Sequence, residues 1–185
     1  VHGAASRFPA RRSGYPTTTV SRRTKTPLVA LIQGLVAGLA GNAVFTGYQA
    51  VLGRQSGAKQ PRRWADAPEP AQVGKRVLEG VFLRKVTLAQ VPKLTQAVHW
   101  IYGTGWGLAH GVIQESVRQP LVSGVTLATA VTATDYTLLP AMKLYDRPSE
   151  YEPKTLAKDF GNHLVHGLAI AGAYLLLDAA FFRER

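Results

Sequence analysis

The chain has 185 residues, no cysteine, and 22 Lys and Arg against 11 Asp and Glu, for a formal net charge of +11. Without cysteine there is no disulfide, no thiolate metal site and no cysteine nucleophile. The length suits one domain, and no Ser–His–Asp spacing, phosphate-binding glycine loop or HExxH pattern occurs, so hydrolase and nucleotide chemistry have no support.

A mean hydropathy near zero conceals strong segregation. Residues 1–27 and 53–94 hold 15 of the 22 Lys and Arg, whereas Leu28 to Leu52 has none. Residues 1–27 are rich in Arg, Ser and Thr, and no acid precedes Asp66. That composition resembles an organellar transit peptide, but without amphipathic periodicity it reads better as an extended basic tail. The first predicted span, residues 28–52, reads LVALIQGLVAGLAGNAVFTGYQAVL. At ~1.5 Å per residue it crosses a ~30 Å hydrocarbon core with some tilt. Gly34 and Gly38 form a small-xxx-small pair of the kind that lets membrane helices approach closely.

Residues 53–94 form a polar, basic connection. Asp66 and Glu69 followed by Pro70 signal a helix start, and Val73, Val77, Leu78, Val81 and Phe82 give it one apolar side. A short interfacial helix is expected, with Trp64 as an anchor at headgroup depth. The segment Arg54–Arg63 could bind phosphate, but anionic lipids attract such residues equally well, and beside apolar spans lipid or protein is the better partner than nucleic acid.

Pro92 marks a break before the second span, residues 95–117. There His99, Gly103, Trp106 and His110 fall within about 60° on a helical wheel, with Tyr102 beside them. Gly103, Gly107 and Gly111 make a further small-residue ladder. GTGWG at 103–107 follows no strand and is not a dinucleotide loop. The third span, residues 121–139, carries Gly124, Ala128, Thr132 and Asp135 on one side and stops at Pro140. The fourth, residues 161–182, opens with Asn162, His163 and His166, carries Asp178 late, and leaves 183–185 as a tail.

The expected fold is therefore all-α: a polytopic membrane protein with four transmembrane helices in a bundle. Ionisable groups inside lipid are expensive and turn inward. Alternating span directions bring Asn42, His99, Tyr102, Asp135, His163 and His166 to one membrane level, with His110 and Asp178 near the other side. Four tenants fit that first level. One is a structural hydrogen-bond network; another is a proton or substrate path. The remaining two are a metal ion held by His99, His163 and His166 and a haem with His99 and His163 or His166 as axial ligands. No bound cofactor is the leading expectation.

GLVAGLAGNAV in span one, HWIYGTGWGLAHGVI in span two and HLVHG in the last span resemble the YagU-like family of small bacterial inner-membrane proteins. The resemblance implies an integral protein of the bacterial inner membrane and no assigned reaction. Three functions are open: an accessory subunit packing against larger membrane proteins through its glycine faces and basic tails, a transporter or proton-conducting unit, and a haem or metal redox protein. The basic 53–94 connection points to the cytoplasm for its side of the membrane.

Overall fold

A computed structural model describes residues 25–52 and 61–182. Most of the basic tail, part of the Arg54–Arg63 segment and the tail 183–185 lie outside the described residues. Among the described residues the chain is all-helical, without strands. It forms α1 (Pro27–Val51), α2 (Glu69–Gly80), α3 (Val91–Val117), α4 (Pro120–Ala141) and α5 (Pro153–Phe181).

Every one of these helices carries a proline in its first two positions. A first-turn proline gives up no helical hydrogen bond, and its φ is already helical. Pro92 accordingly begins α3 instead of breaking the chain before it, and α5 starts at Pro153, well ahead of the expected Gly161. Pro140 lies inside the last turn of α4. Arg118 takes a left-handed φ of 58°, and its N–H closes α3 on the carbonyl of Gln114 at 2.8 Å. The chain then reverses directly into α4.

The helices pack in the cyclic order α1, α3, α4, α5, each antiparallel to its neighbours, and α2 lies across the start of α3. The glycines set how close α1 and α3 come. A Cβ on Gly107 would run into the carbonyl of Gly34 and the Cα of Gly38, and one on Gly111 would meet the carbonyl of Ala30. Gly103 abuts the Asn42 amide, and Gly124 and Gly167 make a similar approach between α4 and α5. The ladder of Gly34, Gly38, Gly103, Gly107 and Gly111 is thus consumed inside the chain. This corrects the expectation that these faces are offered to another protein.

Ala37, Leu127, Val131, Ile170 and Tyr174 form the apolar layer at mid-height. Away from it the polarity is inverted. α1 buries Gln33, Gly34, Gly38, Gly41 and Asn42 while exposing Leu28, Ile32, Leu35, Val36, Leu39 and Val44. By length and composition α1 and α5 are apolar enough to cross a membrane; among the described residues α3 and α4 do not reach that standard. Trp64 sits half-buried against Ala67, Ala71 and Val91, where it helps pack α2 onto α3.

Substitution tests the glycine contact. Gly107→Ala should destabilise the fold by about 1–3 kcal/mol, because neither facing backbone can yield. Gly105→Ala and Gly172→Ala, where a Cβ meets nothing within 4 Å, should be neutral or slightly stabilising. Thermal unfolding of the three purified variants checks both halves.

Candidate functional site

Near the α2 end the bundle encloses a cavity of about 300 Å³. α1 contributes Asn42 and Phe45, and α2 covers the end with Glu69, Pro70 and Val73. α3 supplies Val98, His99, Tyr102, Gly103 and Trp106, α4 supplies Val131, Asp135, Leu138 and Leu139, and α5 supplies His163 and His166. The six residues Asn42, His99, Tyr102, Asp135, His163 and His166 therefore line one space. They do not form one continuous network.

Asp135 is well partnered. The Tyr102 hydroxyl donates to its Oδ1 at 2.6 Å, and His163 Nε2 lies 3.2 Å from its Oδ2. Deeper in, Asn42 is 0% exposed and neither end of its amide meets a hydrogen-bond partner among the described residues. The Nε2 atoms of His99 and His166 are equally buried and unpartnered. Each such group costs about 1–3 kcal/mol if left unsatisfied. The ring of Phe45 rests against both imidazoles, 5.9 Å from His99 and 5.4 Å from His166 between centroids.

That arrangement fits neither haem nor a metal. Among the described residues no three His, Asp or Glu side chains converge closely enough to hold an ion. A porphyrin between His99 and His166 would have to displace Phe45. The metal candidates His99, His163 and His166 are instead divided: His163 pairs with the carboxylate while the other two flank an aromatic ring.

Asn162 and Tyr136, next in sequence to His163 and Asp135, do not line the cavity. The Tyr136 hydroxyl donates to Asp159 at 2.7 Å, and its ring joins Tyr145 and Tyr151 in a cluster bracing the α4–α5 connection. Burial, and after it the charge of Glu69, raises the Tyr145 phenol above its ordinary range. It stays protonated where it borders the cavity.

The opposite end is built differently. Asp178 meets Lys25, whose ammonium also lies 3.2 Å from Glu115 and 4.6 Å from the Tyr174 ring centroid. Gln33 Nε2 donates to the Tyr174 carbonyl at 3.1 Å and to Asp178 at 3.2 Å, and the Tyr174 hydroxyl donates to Glu115 at 2.9 Å. His110 Nε2 lies 3.2 Å from the Ser123 hydroxyl, which donates to Gln114. Lys25 escaped the sequence reading because it falls in the basic tail, where one lysine looks like the rest. Its place just before Thr26, the N-cap of α1, is the only local signal.

No protein-family model, no curated protein and no solved structure matches this chain.

Two perturbations separate the two ends. Breaking the buried pair with Lys25→Met should cost roughly 3 kcal/mol, since two carboxylates lose their counter-charge. Tyr102→Phe and Asp135→Asn should show a coupling of about 1–2 kcal/mol in a double-mutant cycle, as befits a hydrogen bond to a carboxylate. Chemical unfolding of the purified variants measures both.

Proposed function

We propose that the chain is a small integral membrane protein whose helices α1, α3, α4 and α5 span the bilayer, with α2 at the interface. In this reading it serves as an accessory subunit beside larger membrane proteins of a bacterial inner membrane. One observation carries the membrane part: the inverted polarity of the bundle. A water-soluble helix does not bury Gln33, Gly34, Gly38 and Asn42 while turning Leu28, Ile32, Leu35 and Leu39 outward. In lipid the large apolar side chains face the tails and small or polar ones make the helix contacts.

α3 and α4 fit the same account despite their composition. On α3, His110 and Gln114 are buried, while Ile101, Leu108 and Val112 are exposed. On α4 the exposed Thr129 and Thr137 donate their hydroxyls to the carbonyls of Val125 and Ala133 at 2.9 and 2.6 Å, which leaves methyl groups outward.

The accessory role draws on three features: a broad outer apolar surface, the long basic connection 53–94, and within it the exposed group Val77, Val81, Phe82 and Leu83 beside Arg84 and Lys85. The last suits a protein partner or anionic headgroups. The resemblance to YagU-like proteins supports the inner-membrane assignment. A proton-conducting role is disfavoured by the apolar layer of Ala37, Leu127, Val131 and Ile170 between the two polar levels, across which no side-chain hydrogen-bonded chain runs among the described residues.

Alkaline carbonate treatment of membranes should leave the protein in the pellet, and release into the supernatant would defeat the membrane reading. Purification in mild detergent should bring stoichiometric membrane-protein partners with it. A monodisperse species running alone would defeat the accessory reading. Asp135→Asn should leave proton flux into liposomes unchanged.

A further inference from the structure

We infer that the cavity near α2 binds the uncharged ring of a lipid-soluble quinone or quinol, entering sideways between α3 and α4. The inference rests on the membrane reading for its route of entry and on the cavity's own chemistry for its ligand.

Charge narrows the ligand first. In a chain with a net charge of +11, no Lys or Arg among the described residues lines the cavity, so none of them would neutralise a phosphate or carboxylate head there. An organic cation is no better served. Asp135 is already covered by the Tyr102 hydroxyl and by His163, and Glu69 stands in the first turn of α2, where the helix dipole favours its charge.

What the cavity leaves unanswered is uncharged hydrogen-bonding capacity. The Asn42 amide, 0% exposed, offers a donor and an acceptor without partners, and His166 Nε2, in a residue 5% exposed, is likewise unpartnered. A quinone's carbonyl oxygens accept from the amide or an imidazole N–H, and a quinol's hydroxyls can in addition donate to the amide oxygen. The walls suit a flat head: Phe45 lies on one side, and Tyr102 and Trp106 meet edge to face at 6.0 Å. About 300 Å³ is the low end of the range for small-molecule sites, room for one substituted ring and not for a tetrapyrrole.

Of the lining residues only Tyr102 on α3 and Leu138 on α4 are exposed, and it is between these two that the proposed ligand would enter. Exposed Ile101 continues the apolar surface there. An isoprenoid tail would run out over that surface among the lipid tails while the ring stays inside.

The test uses the full chain in phosphatidylcholine nanodiscs, titrated with a benzoquinone carrying a short alkyl tail and followed by tryptophan fluorescence. Saturable quenching is expected, largely lost in Trp106→Phe. Asn42→Ala and His166→Leu should each weaken binding about tenfold with helical circular dichroism unchanged. Should either variant unfold, the wild-type chain is titrated with a cyclohexane bearing the same tail, which should compete at least tenfold less well. Non-saturable quenching equal in all variants, equal competition by the cyclohexane, or tighter binding of tetraphenylphosphonium would each overturn the proposal. The membrane reading fails separately: carbonate release of a protein that still binds the quinone in solution removes the bilayer and keeps the site.

Discussion

The close backbone approach of α1 and α3 is the constraint from which the rest of the arrangement follows. With Gly34 and Gly38 facing Gly107 and Gly111, no side chain separates the two helices along that seam. The large side chains of α1 therefore have no room inside and must point outward. The inverted polarity of the bundle is thus a steric consequence of where the glycines sit. In water that geometry would be penalised by every exposed leucine; in lipid it costs nothing and gains van der Waals contact along the seam.

The same approach creates the cavity. Gly103 continues the seam and abuts the Asn42 amide, and from there toward α2 the interface opens. Phe45 comes next on α1, and its ring meets His99 from α3 and His166 from α5. Tight packing on one stretch of α1 and a lined space on the next belong to one helix pair. A side chain added at Gly103 would press on the Asn42 amide and disturb the site while leaving the rest of the seam intact.

Much of this was legible in the sequence, and what was not has identifiable causes. The grouping of Asn42, His99, Tyr102, Asp135, His163 and His166 follows from helix directions alone, since alternating helices fix which ends are neighbours. Their pairing does not follow, because which imidazole faces Asp135 depends on rotation about each helix axis. That rotation is set by the glycine seam and by Ile170 against Gly41. The starts of α3 at Val91 and of α5 at Pro153 are obscured for a different reason: a proline reads as a stop from one side and as a first-turn residue from the other. The ion pair of Lys25 with Asp178 joins residues at opposite ends of the chain, and no local pattern announces such a contact.

The two polar ends differ in how their charges are held and in what surrounds their unpartnered groups. At the Lys25 end, opposite charges meet in a network that fixes helix register, although Gln33 Oε1 and His110 Nδ1 are buried there without a partner among the described residues. At the α2 end, an amide and two imidazole nitrogens are buried with nothing to bond, although the carboxylate beside them is doubly satisfied. Here the unpartnered groups border a cavity, where a ligand can meet them. The apolar layer of Leu127, Val131 and Ile170 lies between that space and the other polar end, which argues for a pocket and not a passage.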